Sequence, residues 1–455
     1  MCGIAGKMYA DRSRQVDRDL LQRMADAIVH RGPDDEGHYL HGHVGLCMRR
    51  LQVIDLPGGN QPMANESETT WVVFNGEIYN YRELRRDLES RGHEFRTASD
   101  TEVILHLYEE EGIGCLEHLR GMFAIAIYDL PADKLFLARD RLGKKPLYYA
   151  HVDGGVAFAS ELCALLEDGS VDTTIDPVAL DEYLSYLFVP HPRTIYTGAK
   201  KLPPGSFAVF CHGELSIERY WQVRYAGDGA VEQPDAVDAL EAELREAVRL
   251  RLVADVPLGA FLSGGLDSSL IVALMQEISG KQVKTFSIGF EASSFNELEY
   301  AGQVAASLGT DHHEDVVSYR AAELVPGLLD HFGEPFADSS ALPTYHLSRF
   351  TRQEVTVALS GDGGDEVFGG YRRYQARLLA DVYNRWPAAL GRSLVDVAAS
   401  GLREPTSYYG NSYRKKVKRF VEYARATRAA PETSWAFFLP RGKKLTCMRK
   451  ILPIF

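Results

Sequence analysis

Between Trp71 and Ser160 the apolar residues fall into short runs, "WVVFN", "MFAIAIYDL", "KLFLARD", "PLYYA" and "GVAFAS". Runs of that length, rich in branched and aromatic residues, predict strands. Two intervening stretches, "YRELRRDLESRG" and "DTEVILHLYEEEG", read as helices, so the first half is expected to be layered α+β. After Tyr220 the apolar period stops in "RYAGDGAVEQPDA", a Gly-, Asp- and Pro-bearing stretch that predicts a linker. A long helix over about Pro234 to Ala254 follows. Strand and helix then alternate through "LGAFL", "SSLIVALMQEIS", "VKTFSIGF", "ELEYAGQVAASLG" and "EVTVALS". Such alternation predicts an α/β domain, a parallel sheet with flanking helices. The expected domains are residues 2–218 and 234–455.

A chain of 455 residues suits two or three domains at about 150 residues each. The net charge of −13 argues against a sequence-independent phosphate-backbone binder, so no nucleic-acid partner is expected. The six cysteines are scattered without a CxxC pair, so neither a zinc site nor a disulfide framework is indicated, and they suit a reducing compartment. No stretch reads as a signal peptide or as a membrane span of about 20 apolar residues, so a cytoplasmic protein is expected.

Three stretches carry candidate chemistry. The chain opens "MCGIAG". Cysteine is small enough for the initiator methionine to be removed, which would set the Cys2 thiol beside a free α-amino group, a base with a reference pKa of about 8. In "FLSGGLDSS", Phe261 to Ser269, a strand is expected to end at Leu262 and a helix to start at about Ser269. The glycines between them let the backbone approach a ligand, and free N–H groups with three hydroxyls would converge on an anion such as pyrophosphate. Asp267 would repel bare phosphates but makes sense as a ligand of Mg2+. The Gly-Lys-Ser/Thr ending of a Walker loop is missing. In "LSGDGGDEVFGGY", Leu359 to Tyr371, Asp365 offers a second magnesium ligand. Together the two loops read as an ATP site.

With "HRGPDDEG", "RRLQVID", "FNGEIYNY", "SDTEVIL", "GMFAIAIYD" and "RDRLGKKPLYY" in order between these stretches, the sequence resembles the glutamine-hydrolysing asparagine synthetases of the bacterial B type from Met1 to about Gln375. The resemblance implies an N-terminal-nucleophile glutaminase with an αββα sandwich. An ATP-pyrophosphatase domain of the adenine nucleotide alpha-hydrolase kind would follow it. It implies that Cys2 attacks the glutamine amide, that Asn75 and the Gly76 N–H form the oxyanion hole, and that Arg50 and Asp100 hold the α-carboxylate and α-ammonium. Leu51, Gln52, Val53, Ile54 and Glu77 would complete the glutamine site. In the second half, Leu262, Ile288, Ser360 and Gly361 would cradle adenosine, and Ser263, Gly264, Gly265, Asp267, Ser268 and Ser269 would take the pyrophosphate. Asp267 and Asp365 would bind Mg2+. Asp362 stands where many relatives carry a glutamate and is expected still to support adenylate formation. Read without the resemblance, Arg50 also fits a surface charge and Asp100 a helix N-cap before "TEVIL".

The implied reaction transfers glutamine nitrogen, as internally channelled ammonia, to a β-aspartyl-adenylate. Its substrates are small molecules, its energy source is ATP, and a homodimer is allowed. A different carboxylate acceptor, or a remnant with glutaminase activity only, stays open at this level. The family's late segments, an arginine before Pro-Phe-Leu-Asp and a Lys-x-x-Leu-Arg stretch, are not found. After "SWAFFL" the chain runs "PRGKKLTCMRKILPIF", so a truncation or shifted frame is expected, with asparagine synthesis far below ammonia release.

Overall fold

The computed structural model describes residues 1–224, 233–290, 296–317, 321–387, 395, 397–399, 401, 413–429 and 448. Of the expected linker "RYAGDGAVEQPDA", residues 225–232 lie outside the described residues while Gln233 to Ala236 already belong to the helix Gln233–Arg251. The tail after Ala429, except Met448, lies outside the described residues with the expectations placed on it. By its contacts the chain divides into a unit of Met1–Ser360 and a unit of Gly361–Lys444.

The first unit begins with β1 (Gly3–Tyr9), β2 (Asp35–His41), β3 (Val44–Arg50), β4 (Met63–Ala64), β5 (Thr70–Ile78) and β6 (Gly121–Asp129). It continues with β7 (Lys134–Arg139), β8 (Tyr148–Val152), β9 (Gly155–Ala159), β10 (Ala199–Lys201), β11 (Ser206–Cys211) and β12 (Glu214–Arg219). Two six-stranded sheets result, ordered β10-β8-β9-β1-β3-β2 and β12-β11-β7-β6-β5-β4. Strand alternation explains how they stack. Along β6, Phe123, Ile125 and Ile127 enter one core while Ala124, Ala126 and Tyr128 enter another, and Val73 of β5 joins the second set against Ile4 and Met8 of β1. That second core lies between the sheets. The outer face of the first sheet is covered by α1 (Arg18–Ala27) through Leu20, Leu21, Met24 and Ala25. The outer face of the second is covered by α2 (Tyr81–Ser90) and α3 (Asp100–Glu111) through Leu88, Val103, Ile104 and Leu107. The result is the αββα sandwich.

The strands expected between Trp71 and Ser160, and both helices there, are found. β1 to β4 and β10 to β12 were not legible in the pattern. Every residue of β1 is buried, so its sequence "GIAGKMY" has no alternation, and β2 is a polar edge strand.

Four parallel strands follow: β13 (Leu258–Phe261), β14 (Lys284–Phe290), β15 (Asp311–Val317) and β16 (Val357–Leu359), in the order β15-β14-β13-β16. Helices Gln233–Arg251, Leu266–Ser279 and Leu298–Leu308 cover this sheet through Val248, Val272, Met275, Ala301 and Ala305. The chain moves outward from β13 to β15 and returns on the other side of β13 for β16. That reversal sets the carboxyl ends of β13 and β16 side by side, Ala260 opposite Leu359, at a topological switch point. In the second unit, helices Arg372–Arg385 and Tyr413–Ala429 pack together, with Asn384 Nδ2 donating to the Ala424 carbonyl at 2.9 Å. Among the described residues no helix is long and apolar enough to cross a membrane.

Candidate active site

Cys2 stands at the head of the fully buried strand β1. Its Sγ lies 3.6 Å from the Leu51 carbonyl oxygen and receives the Leu51 N–H at 3.4 Å. Its own carbonyl accepts from Arg31 Nε at 2.9 Å, and Arg31 Nη1 in turn meets Glu161 at 2.5 Å. Burial raises the thiol pKa, and the neighbouring N-terminal ammonium works against that rise. Burial also pushes the amine, carried here by Met1, down to about 5. An amine held in this pocket is neutral at pH 7 and free to accept a proton.

A buried lysine that the sequence reading passed over completes the electrostatics. Lys145 Nζ lies 2.6 Å from Met1 Sδ, and burial with the Arg31 charge pushes its pKa down to about 8, against the pull of Cys2, Glu77 and Asp140. Burial and then the Asp100 charge push Glu77 up to about 8, with Lys145 and Arg251 opposing. Burial raises Asp100 to about 6 although its Oδ2 accepts the Ile78 N–H at 2.9 Å. Cys2, Lys145, Glu77 and Asp100 are thus successive electrostatic neighbours. The available signal for Lys145 was the second lysine of "GKKPLYY", directly ahead of an apolar run.

Asn75 on β5 is 0% exposed, and among the described residues neither its Oδ1 nor its Nδ2 has a hydrogen-bond partner. A buried amide left in that state costs about 1–3 kcal/mol, which marks it as a group shaped for something other than the fold. At Gly76 an added Cβ would sit 2.1 Å from the Met122 carbonyl oxygen, so β5 and β6 meet there only because residue 76 has no side chain.

Two of the plain structural alternatives do not hold. Arg50 is buried, not a surface charge, and its four Nη hydrogens go to a loop: Nη1 to Leu56 O at 3.0 Å and Asn60 Oδ1 at 2.8 Å, Nη2 to Ile54 O at 3.2 Å and Asp55 O at 2.7 Å. The helix cap before "TEVIL" is Ser99, which accepts from the Thr101 N–H, and Asp100 is the first helical residue. Around the same loop Gln52 N donates to Asp34 Oδ2 at 3.0 Å, Asp255 N to Val53 O at 2.9 Å, and Asp55 N to Asp255 Oδ2 at 2.8 Å.

In the parallel-sheet region β13 ends at Phe261 and the next helix starts at Leu266, three residues ahead of expectation, with Gly265 as its N-cap. Gly264 has φ +77°, and a Cβ there would lie 2.6 Å from both Ala301 N and Tyr300 C. The hydroxyls do not all face outward. Ser263 Oγ and Ser268 Oγ pair at 3.0 Å, and Ser269 Oγ donates to Gly265 O at 2.7 Å. Leu262 is buried, its N–H on Phe286 O at 2.9 Å and its carbonyl accepting from Ser287 Oγ. Ile288 lies on neighbouring β14, and Ser360 directly follows β16. Asp267 lies in the first helical turn, partly exposed, a hard oxygen donor that fits a magnesium ligand, while the loop N–H groups of Ser263 and Gly265 donate to Ser268 Oγ and Ser263 Oγ, each at 3.2 Å. In the second unit Gly361 and Asp362 precede Gly363, whose φ of +99° opens the helix Gly364–Phe368 with Asp365 in its first turn. A Cβ at Gly370 would lie 1.9 Å from Asp365 Oδ1, so this carboxylate, also a suitable oxygen donor, rests against bare backbone.

A family described as a glutamine amidotransferase domain matches residues 1–221, and one described as asparagine synthase matches residues 239–446. The glutamine-hydrolysing asparagine synthetase 1 of Bacillus subtilis is 40% identical over 403 residues, covering 88% of this chain and 63% of its own length. A putative glutamine-hydrolysing asparagine synthetase 2 of Methanocaldococcus jannaschii is 36% identical, covering 86% of this chain and 79% of its own. Among solved structures, the glutamine phosphoribosylpyrophosphate amidotransferase of B. subtilis overlaps with a TM-score of 0.38 at 14% identity, over 74% of this chain and 94% of that one.

Proposed function

We infer the reaction from the premise that this chain belongs to the glutamine-hydrolysing asparagine synthetase family. Glutamine is hydrolysed at Cys2, and the ammonia displaces AMP from an ATP-activated aspartate to give asparagine, AMP and pyrophosphate. The glutaminase occupies residues 2–218 and the synthetase residues 234–455. The observation that carries the first half is the buried, unpartnered amide of Asn75. Removal of Met1 gives Cys2 the α-amino group, in a pocket that favours the neutral amine. The amine takes the thiol proton, and sulfur attacks the amide carbon. Asn75 Nδ2 and the Gly76 N–H meet the oxyanion. Return of the proton to nitrogen expels ammonia, and water then releases glutamate from the thioester.

Asp100 holds the substrate ammonium and Glu77 lies beside it. Arg50 shapes the wall made by residues 51–54 and adds its charge for the α-carboxylate. For the nucleotide, the first unit offers Leu262, Ile288 and Ser360 to adenosine and the loop Ser263 to Ser269 to the pyrophosphate, and the second unit offers Gly361 and Asp362 for adenosine and the adenylating groups respectively. Asp267 and Asp365 would hold Mg2+, which supplies charge neutralisation to the polyphosphate. The reading places the enzyme in the cytoplasm, acting on small molecules, and a homodimer is compatible with it.

The test supplies glutamine, aspartate and Mg-ATP and quantifies glutamate, asparagine and AMP together. Cys2→Ala is expected to abolish glutamate formation and to keep ATP-dependent use of free ammonia, whereas Asp267→Asn weakens Mg-ATP binding and spares glutamate formation. Full glutaminase activity in Cys2→Ala would overturn the nucleophile, and AMP formed with an amide other than asparagine would overturn the acceptor.

A further inference from the structure

On the flank of α3, away from its Asp100 end, two histidines turn the same ring atom toward each other. His93 Nδ1 and His106 Nδ1 are 3.1 Å apart, and Glu109 Oε2 lies 3.0 Å from His106 Nδ1 and 3.9 Å from His93 Nδ1. The circle through three atoms so separated has a radius of about 2.0 Å, which is the length of a Zn–N or Zn–O bond.

The opposite ring atoms face carboxylates. His93 Nε2 is 3.0 Å from Glu110 Oε1. His106 is 1% exposed, its Nε2 makes no hydrogen bond, and Glu66 Oε1 and Glu102 Oε1 stand at 3.7 and 3.9 Å from it. Histidines that ligate a metal are oriented in this way, one nitrogen inward and the other toward an outer carboxylate. In the tautomer that carries each ring proton on Nε2, three lone-pair acceptors converge on a single point, and a positive centre between them completes that arrangement. Four glutamates, at 66, 102, 109 and 110, surround that point. The nearby cation Arg91 is paired with Asp87 at 2.6 Å and otherwise reaches Glu110 at 3.9 Å and Glu111 at 3.7 Å.

We propose that His93, His106 and Glu109 form a zinc site, with the partly exposed Glu109 side giving entry and a fourth position for water. Nitrogen and carboxylate donors suit Zn2+ over Mg2+, which prefers oxygen and octahedral geometry. Bound metal ties residue 93, just past α2, to the middle of α3. Its effect is structural, and it rests on no assumption about the reaction. The competing occupant is a proton shared among the same three atoms.

The test uses the full chain, stripped with a chelator, dialysed, and titrated with Zn2+ by calorimetry and with Co2+ by visible absorption. The wild type is expected to bind one more equivalent of Zn2+ than either His93→Gln or Glu109→Gln, and to show a cobalt band that both variants lack. Zinc should raise its melting temperature and not theirs. Both variants should keep glutaminase activity, and Glu109→Gln alters a partly exposed side chain, so it serves if His93→Gln folds poorly. Equal stoichiometry in wild type and variants, or the same cobalt spectrum in all three, would identify the centre as a proton and overturn the proposal.

Discussion

Arg31 reaches the carbonyl oxygen of Cys2 through Nε at 2.9 Å while its Nη1 holds Glu161 at 2.5 Å, so the second residue of the chain is pinned to the segment that follows β9. Burial pushes Glu161 upward, but His30 and Arg31 outweigh it and hold its carboxyl at about 2. The folded value lies below the unfolded reference of about 4.3. The pair's contribution is therefore present above that reference and is lost as pH falls toward 2. Glu161→Gln should cost ~3 kcal/mol in denaturant unfolding at pH 7 and remove part of the acid limb of stability. It should also slow ammonia release, because the N-terminus loses its anchor. An unchanged unfolding midpoint would mean that Arg31 is held without Glu161.

The Asn75 side chain contributes no hydrogen bond to the fold, since its amide has no partner among the described residues. Asn75→Ala should lower kcat for glutamine hydrolysis by about 10²- to 10³-fold. Folding stability should fall by no more than the small cavity term expected of a truncated buried side chain. Steady-state ammonia release and thermal melting, measured on one preparation, separate the two. Loss of melting temperature with kcat intact would remove Asn75 from the oxyanion site.

Asp100 titrates near 6, and only its carboxylate form can hold an ammonium group. The kcat/KM for glutamine should therefore fall about tenfold per pH unit below that value. Asp100→Asn should show a raised KM and a flat profile over the same range. Stability runs the other way. The raised values of Asp100 and Glu77 give contributions that are complete below their unfolded pKa values and are lost as pH rises through about 6 and about 8 respectively. Glu77→Gln should flatten the upper part of that decline in the ligand-free protein.

Gly264→Ala sets a methyl group 2.6 Å from two backbone atoms at a φ of +77°. Backbone cannot give way as a flexible side chain can, so a cost of ~2 kcal/mol or more is expected. AMP formation should disappear while ammonia release from glutamine stays within about twofold, since Cys2 lies in the sandwich. AMP formation at the wild-type rate would show that the turn is not a phosphate cradle.

Legibility in the sequence followed the physical signal each element leaves. β5 and β6 face two different cores and so alternate, whereas β1 is buried throughout and gives no period. The helix after β13 begins earlier than read because its first turn holds the exposed Leu266 and polar Asp267 and Ser268, so the apolar rhythm starts late. Cys2, Asn75, Gly76 and Asp100 stand in distinctive short motifs. Lys145 does not, because adjacent lysines look like a solvated face. The loop-holding role of Arg50 left no trace either, since three of its four acceptors are backbone carbonyls. His93 and His106 are thirteen positions apart, a spacing outside the usual ligand patterns.

The two hydrogen bonds between the Val53–Asp55 loop and Asp255 join a wall of the Cys2 site to the approach to β13. Asp255 is three residues ahead of β13, and the Ser263 to Ser269 turn begins two residues after that strand ends. A shift of β13 along its own axis must either drag the glutamine-side loop with it or break both bonds, at about 1 kcal/mol each. The loop beside Cys2 and the strand ahead of the Ser263 to Ser269 turn are thereby mechanically tied, and by reciprocity a ligand that stiffens that turn should also stiffen the loop beside the thiol.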